Sequence, residues 1–298
     1  MLIINLDLFK ISFFHVFIHS TLDIIILLKY IKSMIPDRKV DPMFDHIKTI
    51  HYGRSVKQYH NWSLTSFAVN RLYYIHSGNL TVLLDNVPCA LKPGFIYLIP
   101  QNLKFELLLT PETRVDHTFL DFVSLPAIKM DSYIEIDPSS HPLIQQAAQI
   151  LFSLTEHYPT YMCDDHGEFI PLVESYLENT LFLINREFPI HTIADTRINL
   201  ALEHIHQHYD QEITLETLTE LTNLEKNYFI RLFKQYMNLT PYQYIKKYRF
   251  NAALALIKRH YSLSDVALKI GYSDISAFSH AFQRIYGIYP SEIARNTD

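Results

Sequence analysis

Glycine is scarce in this 298-residue chain, with six residues, and cysteine is scarcer, with two. So little glycine excludes collagen-like repeats and flexible glycine-rich tracts. Cys89 and Cys163 make neither a zinc spacing nor a disulfide framework, which fits a reducing, cytoplasmic setting. Uninterrupted apolar runs are also missing. The nearest, Ile11 to Leu28, carries His15, His19 and Asp23, and an Asp near the centre of a span costs roughly 2.5 to 3.5 kcal/mol, so no stable membrane insertion is expected. No nucleophile elbow and no phosphate loop occur, and His60, His76 and His117 lack the HxH spacing of a metal-holding barrel. Catalysis, a metal and a cofactor are therefore not expected. Net basic charge is absent too, with 26 Lys and Arg against 31 Asp and Glu.

What is present is a large stock of core-forming residues, 48% apolar and 13% aromatic, in a length suited to about two domains. The charge is unevenly placed. From Lys226 to Asp298 there are 11 basic and 4 acidic side chains, leaving 15 against 27 in residues 1 to 225. A basic end on an acidic chain can approach a polyanion, although a solvated basic face has the same composition.

Four regions precede that end. Residues 1–45 form an apolar extension with three readings: a membrane or interfacial helix, a packed amphipathic segment, or translated sequence upstream of a start at Met34 or Met43. Residues 46–139 carry short β-rich runs at 64–69, 72–76, 80–84, 95–99, 105–109 and 115–122. Ser77-Gly78-Asn79, Asp85-Asn86 and Lys92-Pro93-Gly94 read as tight turns between them, which predicts an antiparallel barrel or sandwich. Residues 140–188 switch to helical period, with one stripe through Leu143, Ala147, Ile150, Leu151 and Leu154 and another through Ile170, Val173, Leu177, Leu181 and Ile184. These helices are expected to be a lid or an association surface. Residues 189–196, with Pro189 and a closing Asp-Thr, read as a linker.

From 197 to 298 the pattern is all helical. Two units, each a short helix, a turn and a longer helix, span Leu215 to Met237 and Leu263 to Tyr286. They correspond position by position: Leu218-Thr219 with Val266-Ala267, Phe229 with Phe278, Phe233 with Phe282, Asn238 with Gly287, and Pro241 with Pro290. This is a duplicated helix-turn-helix joined by a helix of about 18 residues, roughly 27 Å long at ~1.5 Å per residue. Successive major grooves on one face of B-DNA lie about 34 to 36 Å apart, within reach of helices held at its two ends. Phe229, Leu232, Phe233, Phe278 and Phe282 are the expected core. His204, His206 and His208 alternate and are expected at the surface.

The tract LETLTELTNLEKNYFIRLFKQYMNLTPYQYI, then RFNAALALI and SLSDVALKIGYSDISAFSHAFQRIYGIYPSEI, resembles the AraC/XylS family of transcription regulators over about 100 residues. Thr219, Glu225, Asn238 and His280 depart from that pattern, standing where Ala, Ser or Thr, Gly and Arg are usual. The resemblance implies that Asn227, Ile230 and Arg231 on the first recognition helix, and Ile275, Ser276, Ser279 and His280 on the second, face base edges of double-stranded DNA. Arg231 has the fork to pair with guanine and Asn227 the amide to pair with adenine. Lys226, Lys234, Lys246, Lys247 and Arg284 are candidates for phosphates. The resemblance also implies RNA polymerase as a partner, a homodimer, and a small-molecule effector, a sugar by family tendency.

Tyr73 to Pro100 resembles, more loosely, the cupin-like barrel that such regulators carry, so the expected class is α+β: an effector-binding barrel, a helical dimerisation segment and a double helix-turn-helix. Trp62, Tyr73, Tyr97 and Phe119 supply candidate stacking surfaces, with His60, Arg71, His117 and Asp121 as polar anchors. The rival expectation is a barrel protein or cupin-type enzyme with a helical tail that does not bind DNA. Nothing in the spacing separates activation from repression.

Overall fold

The computed structural model describes residues 43–58, 65–66, 68–108, 110, 112–157 and 169–295, with 57, 58, 65 and 66 described by backbone alone. The apolar extension before Met43 and Cys163 lie outside these residues. Phe44–Asp298 form one compact unit.

Among the described residues the first half is an antiparallel sheet of eight strands: β1 His46–Gln58, β2 Thr65–Ser66, β3 Asn70–Leu84, β4 Val87–Leu91, β5 Ile96–Ile99, β6 Phe105–Leu108, β7 Arg114–Leu125 and β8 Ile134–Ile136. The path runs β1-β7-β3-β5-β8, with β4 and β6 on the far half of β3 and β2 on β6. The two halves of β3 thus serve different neighbours, Arg71 to Tyr74 pairing with β5 and Leu80 to Leu84 with β4 and β6, which rolls the sheet into a barrel.

Two expectations need correcting. Ser77-Gly78-Asn79 is no turn; β3 continues through it, with a register irregularity against β7 between Ile75 and Ser77. Gly78 has φ +91°, and a Cβ there would lie 1.9 Å from the Arg114 carbonyl oxygen, so this glycine permits a close strand crossing. Asp85-Asn86, both with positive φ, do form the expected β3–β4 hairpin turn.

Two helices follow, α1 Pro142–His157 and α2 Ile170–Glu187. α2 buries the expected Val173, Leu177, Leu181 and Ile184. α1 buries the expected stripe only at Leu151, which faces inward with Ile144, Ala148, Phe152 and Thr155, while Ala147 and Leu154 are half-buried and Leu143 is 66% and Ile150 48% exposed. Both faces of α1 are rich in apolar residues, so period alone selects the wrong one. Between α2 and the next helix the chain is tied to the end of the barrel: the Ile193 amide donates to the Ala127 carbonyl and the Lys129 amide to His191.

Seven helices complete the fold: α3 Thr196–His208, α4 Leu215–Thr222, α5 Lys226–Met237, α6 Pro241–Lys258, α7 Leu263–Lys269, α8 Ile275–Tyr286 and α9 Pro290–Arg295. Their ends follow the local chemistry. Thr214 caps α4, Thr240 and Gln243 close a capping box on α6, and Asn238 and Gly287 stop α5 and α8 in the left-handed conformation. One face of α6 contributes Tyr244, Ile245 and Tyr248 to the first unit's core; further along, Phe250, Ala253, Leu254 and Ile257 enter the second's. Gly271 adopts φ +81° with a Cβ position 2.8 Å from the Asp210 carbonyl oxygen, so only glycine lets α7 approach the turn after α3.

Candidate nucleic-acid interface and barrel interior

Each helix-turn-helix is held by aromatic packing on one side and leaves the other side to solvent. Phe229 and Phe233 anchor α5, and Phe278 and Phe282 anchor α8, all fully buried, with Leu232 buried beside them. The positions between them point outward. Asn227 and Arg231 are exposed on α5 with Ile230 half-buried; Ile275, Ser276 and His280 are exposed on α8 with Ser279 half-buried. The Arg231 guanidinium lies 5.3 Å from the Tyr228 ring centroid, one turn back on the same helix, and His280 packs edge-on to Tyr289.

Glu225, where a small hydroxyl cap is usual, caps α5 itself. Its carboxylate accepts from the Tyr228 amide at 3.0 Å, and the amides of Asn227 and Tyr228, with Arg231 beyond them, hold its pKa below the ordinary carboxylate value. At the C-terminal end of α5, Asn238 supplies the left-handed stop and also donates to the Asn102 carbonyl of the barrel at 3.0 Å.

The candidate phosphate residues separate into three environments. Lys226 pairs with Glu216 at 2.9 Å on the exposed surface, and Lys234 is exposed on the last turn of α5. Lys246 on α6 lies near Arg284 on α8; burial and then that like charge lower its basicity, and neither makes an ion pair among the described residues. Lys247 sits beside Lys104 of the barrel, where burial and then Lys104 push it down to about 8.

Within the barrel, β3 and β7 pair Arg71 with Asp121, Tyr73 with Phe119 and Ile75 with His117, and β5 sets Tyr97 opposite Tyr73. The two-residue period turns Arg71, Tyr73, His117, Phe119, Asp121 and Tyr97 to one face. The structure therefore brings together six of the eight sequence candidates; His60 and Trp62 lie outside the described residues. Arg71 makes two hydrogen bonds to Asp121, both side chains buried. Burial opposes the guanidinium charge, but Asp121 outweighs it and keeps Arg71 firmly protonated. Tyr97 is committed elsewhere: its hydroxyl accepts from the Lys92 amide and donates to Glu135.

Several neighbours of this inner face escaped sequence reasoning. The His51 ring from β1 lies 4.7 Å from that of Phe119, and the Lys258 ammonium at the end of α6 stands 5.3 Å from the same ring. Tyr286 of α8 senses both Arg71 and Asp121 electrostatically. No local pattern signals these approaches, because each joins residues more than 60 apart in the chain.

His206 is the third correction. It is 4% exposed, hydrogen-bonds the Tyr244 hydroxyl at 2.9 Å and stacks on Tyr248, so burial, then Lys48 and His46, push it down to about 3. Tyr244 in turn donates to Gln101 of the barrel at 3.2 Å. His204 and His208 stack on each other on another side of α3. No group of three or more potential metal ligands occurs among the described residues.

A helix-turn-helix domain family matches residues 218–296. The chain is 31% identical over 222 residues to the probable transcriptional regulator LumQ of Photobacterium leiognathi, covering 72% of this chain and 84% of that one. It is 29% identical over 101 residues to the transcriptional regulatory protein HptR of Staphylococcus aureus, covering 34% and 40% respectively. Among solved structures it is similar to ToxT of Vibrio cholerae bound to (E)-4-(8-methylnaphthalen-1-yl)but-3-enoic acid, with TM-score 0.59 and 11% identity over 85% of this chain and 99% of that one, a likeness of fold. A second ToxT structure, described as bound to an unsaturated fatty acid, gives TM-score 0.56. The relatives are transcriptional regulators, not enzymes, and with its duplicated helix-turn-helix this chain belongs to the AraC/XylS family of DNA-binding transcriptional regulators.

Proposed function

We propose that the protein reads a two-part operator through Asn227, Ile230 and Arg231 on α5 and Ile275, Ser276, Ser279 and His280 on α8, under control of a small molecule in a cupin-like barrel. The observation that carries this is the pair of outward polar faces at the two ends of α6, flanked by the neighbouring cations Lys246 and Arg284. Lys226, Lys234, Lys246 and Arg284 serve phosphates; Lys247, turned toward Lys104, does so only if the barrel moves aside. The natural division is barrel 46–139, helical segment 140–188, connection 189–196 and DNA-binding region 197–298.

The test is a gel shift on DNA upstream of the protein's own and neighbouring operons at two salt concentrations. Specific binding that weakens steeply with salt supports the reading, as released counterions require; binding indifferent to salt or to DNA sequence overturns it.

A sugar is the first effector class: the Arg71–Asp121 pair offers donors and acceptors to adjacent hydroxyls beside the Tyr73 ring. The second is an amphipathic carboxylic acid, favoured by Lys258 over Phe119 and by the acids bound in the ToxT crystals. Calorimetric titration with arabinose and with oleate separates them.

For self-association we infer that a second copy packs on the outward stripe of α1, where Leu143, Ala147, Ile150 and Leu154 recur at helical spacing. Sedimentation of Ile150→Glu should give monomers where the parent gives dimers. RNA polymerase as a partner rests on the family resemblance.

A further inference from the structure

Outside the barrel, between α1 and the outer wall of β3, lies a cleft of about 200 Å³ lined by Tyr74, His76 and Ile96 from the sheet and Gln145, Gln149 and Phe152 from the helix. It lies on the opposite face of the sheet from Arg71 and Tyr73, because Tyr74 and His76 alternate with the inward-facing Tyr73 and Ile75 along β3. We propose that this cleft is a second binding site, for an uncharged single-ring molecule carrying an amide or hydroxyl group.

Size sets the first limit. A cavity of about 150 Å³ accepts a benzene-sized ring, whereas drug-sized ligands occupy roughly 300 to 1,000 Å³. One substituted ring fits, and little more.

Charge sets the second. The ionisable groups at the cleft already satisfy one another. Glu156 accepts from the Thr118 hydroxyl at 2.6 Å and from Arg54 at 3.2 Å and lies 3.2 Å from the His76 ring. Thr118 also bonds His76 at 2.7 Å, and Arg54 grips Asp116 through two hydrogen bonds. A charged guest finds no uncompensated partner and would be desolvated at a loss.

Unused hydrogen-bonding groups set the third. Tyr74 is stacked on Phe152 at 5.6 Å, which fixes the floor of the cleft, yet its hydroxyl makes no hydrogen bond among the described residues. The side-chain amides of Gln145 and Gln149 on the opposite wall make none either. A phenol and two carboxamides around an aromatic floor offer several donors and acceptors to a neutral ring but no opposite charge to offset the desolvation of an ion.

Nicotinamide is a suitable probe, being a neutral ring with one carboxamide, and benzoate and benzylamine are its charged counterparts. Titration of the full-length chain, followed by calorimetry or NMR shifts, should show saturable nicotinamide binding at millimolar concentration and at least tenfold weaker binding of both charged rings. Gln149→Trp, at an exposed position, should fill the cleft and abolish the signal without lowering the melting temperature, and Gln149→Ala should weaken it. No saturable binding to the parent, equal binding to Gln149→Trp, or equal affinity for benzoate or benzylamine would overturn the proposal. None of these outcomes depends on DNA binding or on an effector inside the barrel.

Discussion

The two helix-turn-helix units come from one repeated pattern, yet they are held in different ways. The first shares its core with the barrel: Phe229, Phe233 and Tyr244 join one cluster with Ala68, Val69, Val123, Leu125 and Ala127. The second has a core of its own around Phe250, Phe278 and Phe282, and its tie to the barrel is the electrostatic neighbourhood of Tyr286 and the reach of Lys258. Repetition in sequence therefore does not mean equivalence in coupling. The outward faces differ as well, since α5 presents Arg231 while α8 presents no permanently charged residue at the matching positions.

The largest expected effect comes from emptying one core at a time. Phe282→Ala should cost roughly 3 to 5 kcal/mol and loosen 263–295 while the barrel keeps its protection in hydrogen exchange; Phe233→Ala should cost as much but loosen the barrel also. Equal protection patterns for the two variants would erase the distinction.

On DNA, Arg231→Ala should lose roughly 1 to 3 kcal/mol at one base pair, whereas Lys246→Ala should weaken binding to all sequences alike. Base substitutions in the half-site under α5 should cost more than those under α8. Footprinting that finds both halves equally constrained removes the functional side of the comparison.

Acid should discriminate between the units. His206 has a folded-state pKa of about 3, below its ordinary value near 6.5, so the stability it contributes is complete above that value and is lost as pH falls toward 3. The loss is about 1.4 kcal/mol per pH unit over that window. Because His206, Tyr244 and Gln101 lie at the seam of the first unit, urea midpoints between pH 6.5 and 5 should fall for the parent and stay flatter in His206→Gln. An unchanged slope in that variant assigns the acid response elsewhere.

The smallest expected effect is a gain. His280→Arg should raise affinity by less than the ~1 kcal/mol at the low end of a bidentate base contact, since nothing yet orients the new side chain. A drop in affinity would mean that His280 already makes a contact that Arg cannot replace.

The helical half was the more legible part of the sequence, because its signals are local: Thr214, Thr240, Ser262 and Asp274 each bond amides within three residues, and Phe-x-x-x-Phe spacing states which face is inside. The sheet was less legible. β1 buries Ile47, Thr49 and His51 rather than an apolar run, and a register irregularity between Thr49 and His51 breaks its alternation; Gly78 mimics a turn while serving a crossing. The six candidates that share the barrel's inner face are legible by residue type, but the Arg71–Asp121 pairing depends on register across 50 residues. His206 reads as a surface residue for the same reason, its partners Tyr244 and Tyr248 lying about 40 residues away.

The seam between barrel and first helix-turn-helix also governs how such regulators can be recombined. A chimaera joined at 189–196 keeps a continuous backbone but mates foreign side chains against Ala68, Val69, Val123, Leu125 and Ala127, and it severs the hydrogen bonds from Asn238 to Asn102 and from the Ala127 amide to Asn199. Sensor exchange in this scaffold is thus a problem of transplanting a matched surface. Grafts that carry both sides of the seam should fold, and grafts cut only at the connection should inherit a void or a clash in the middle of the protein.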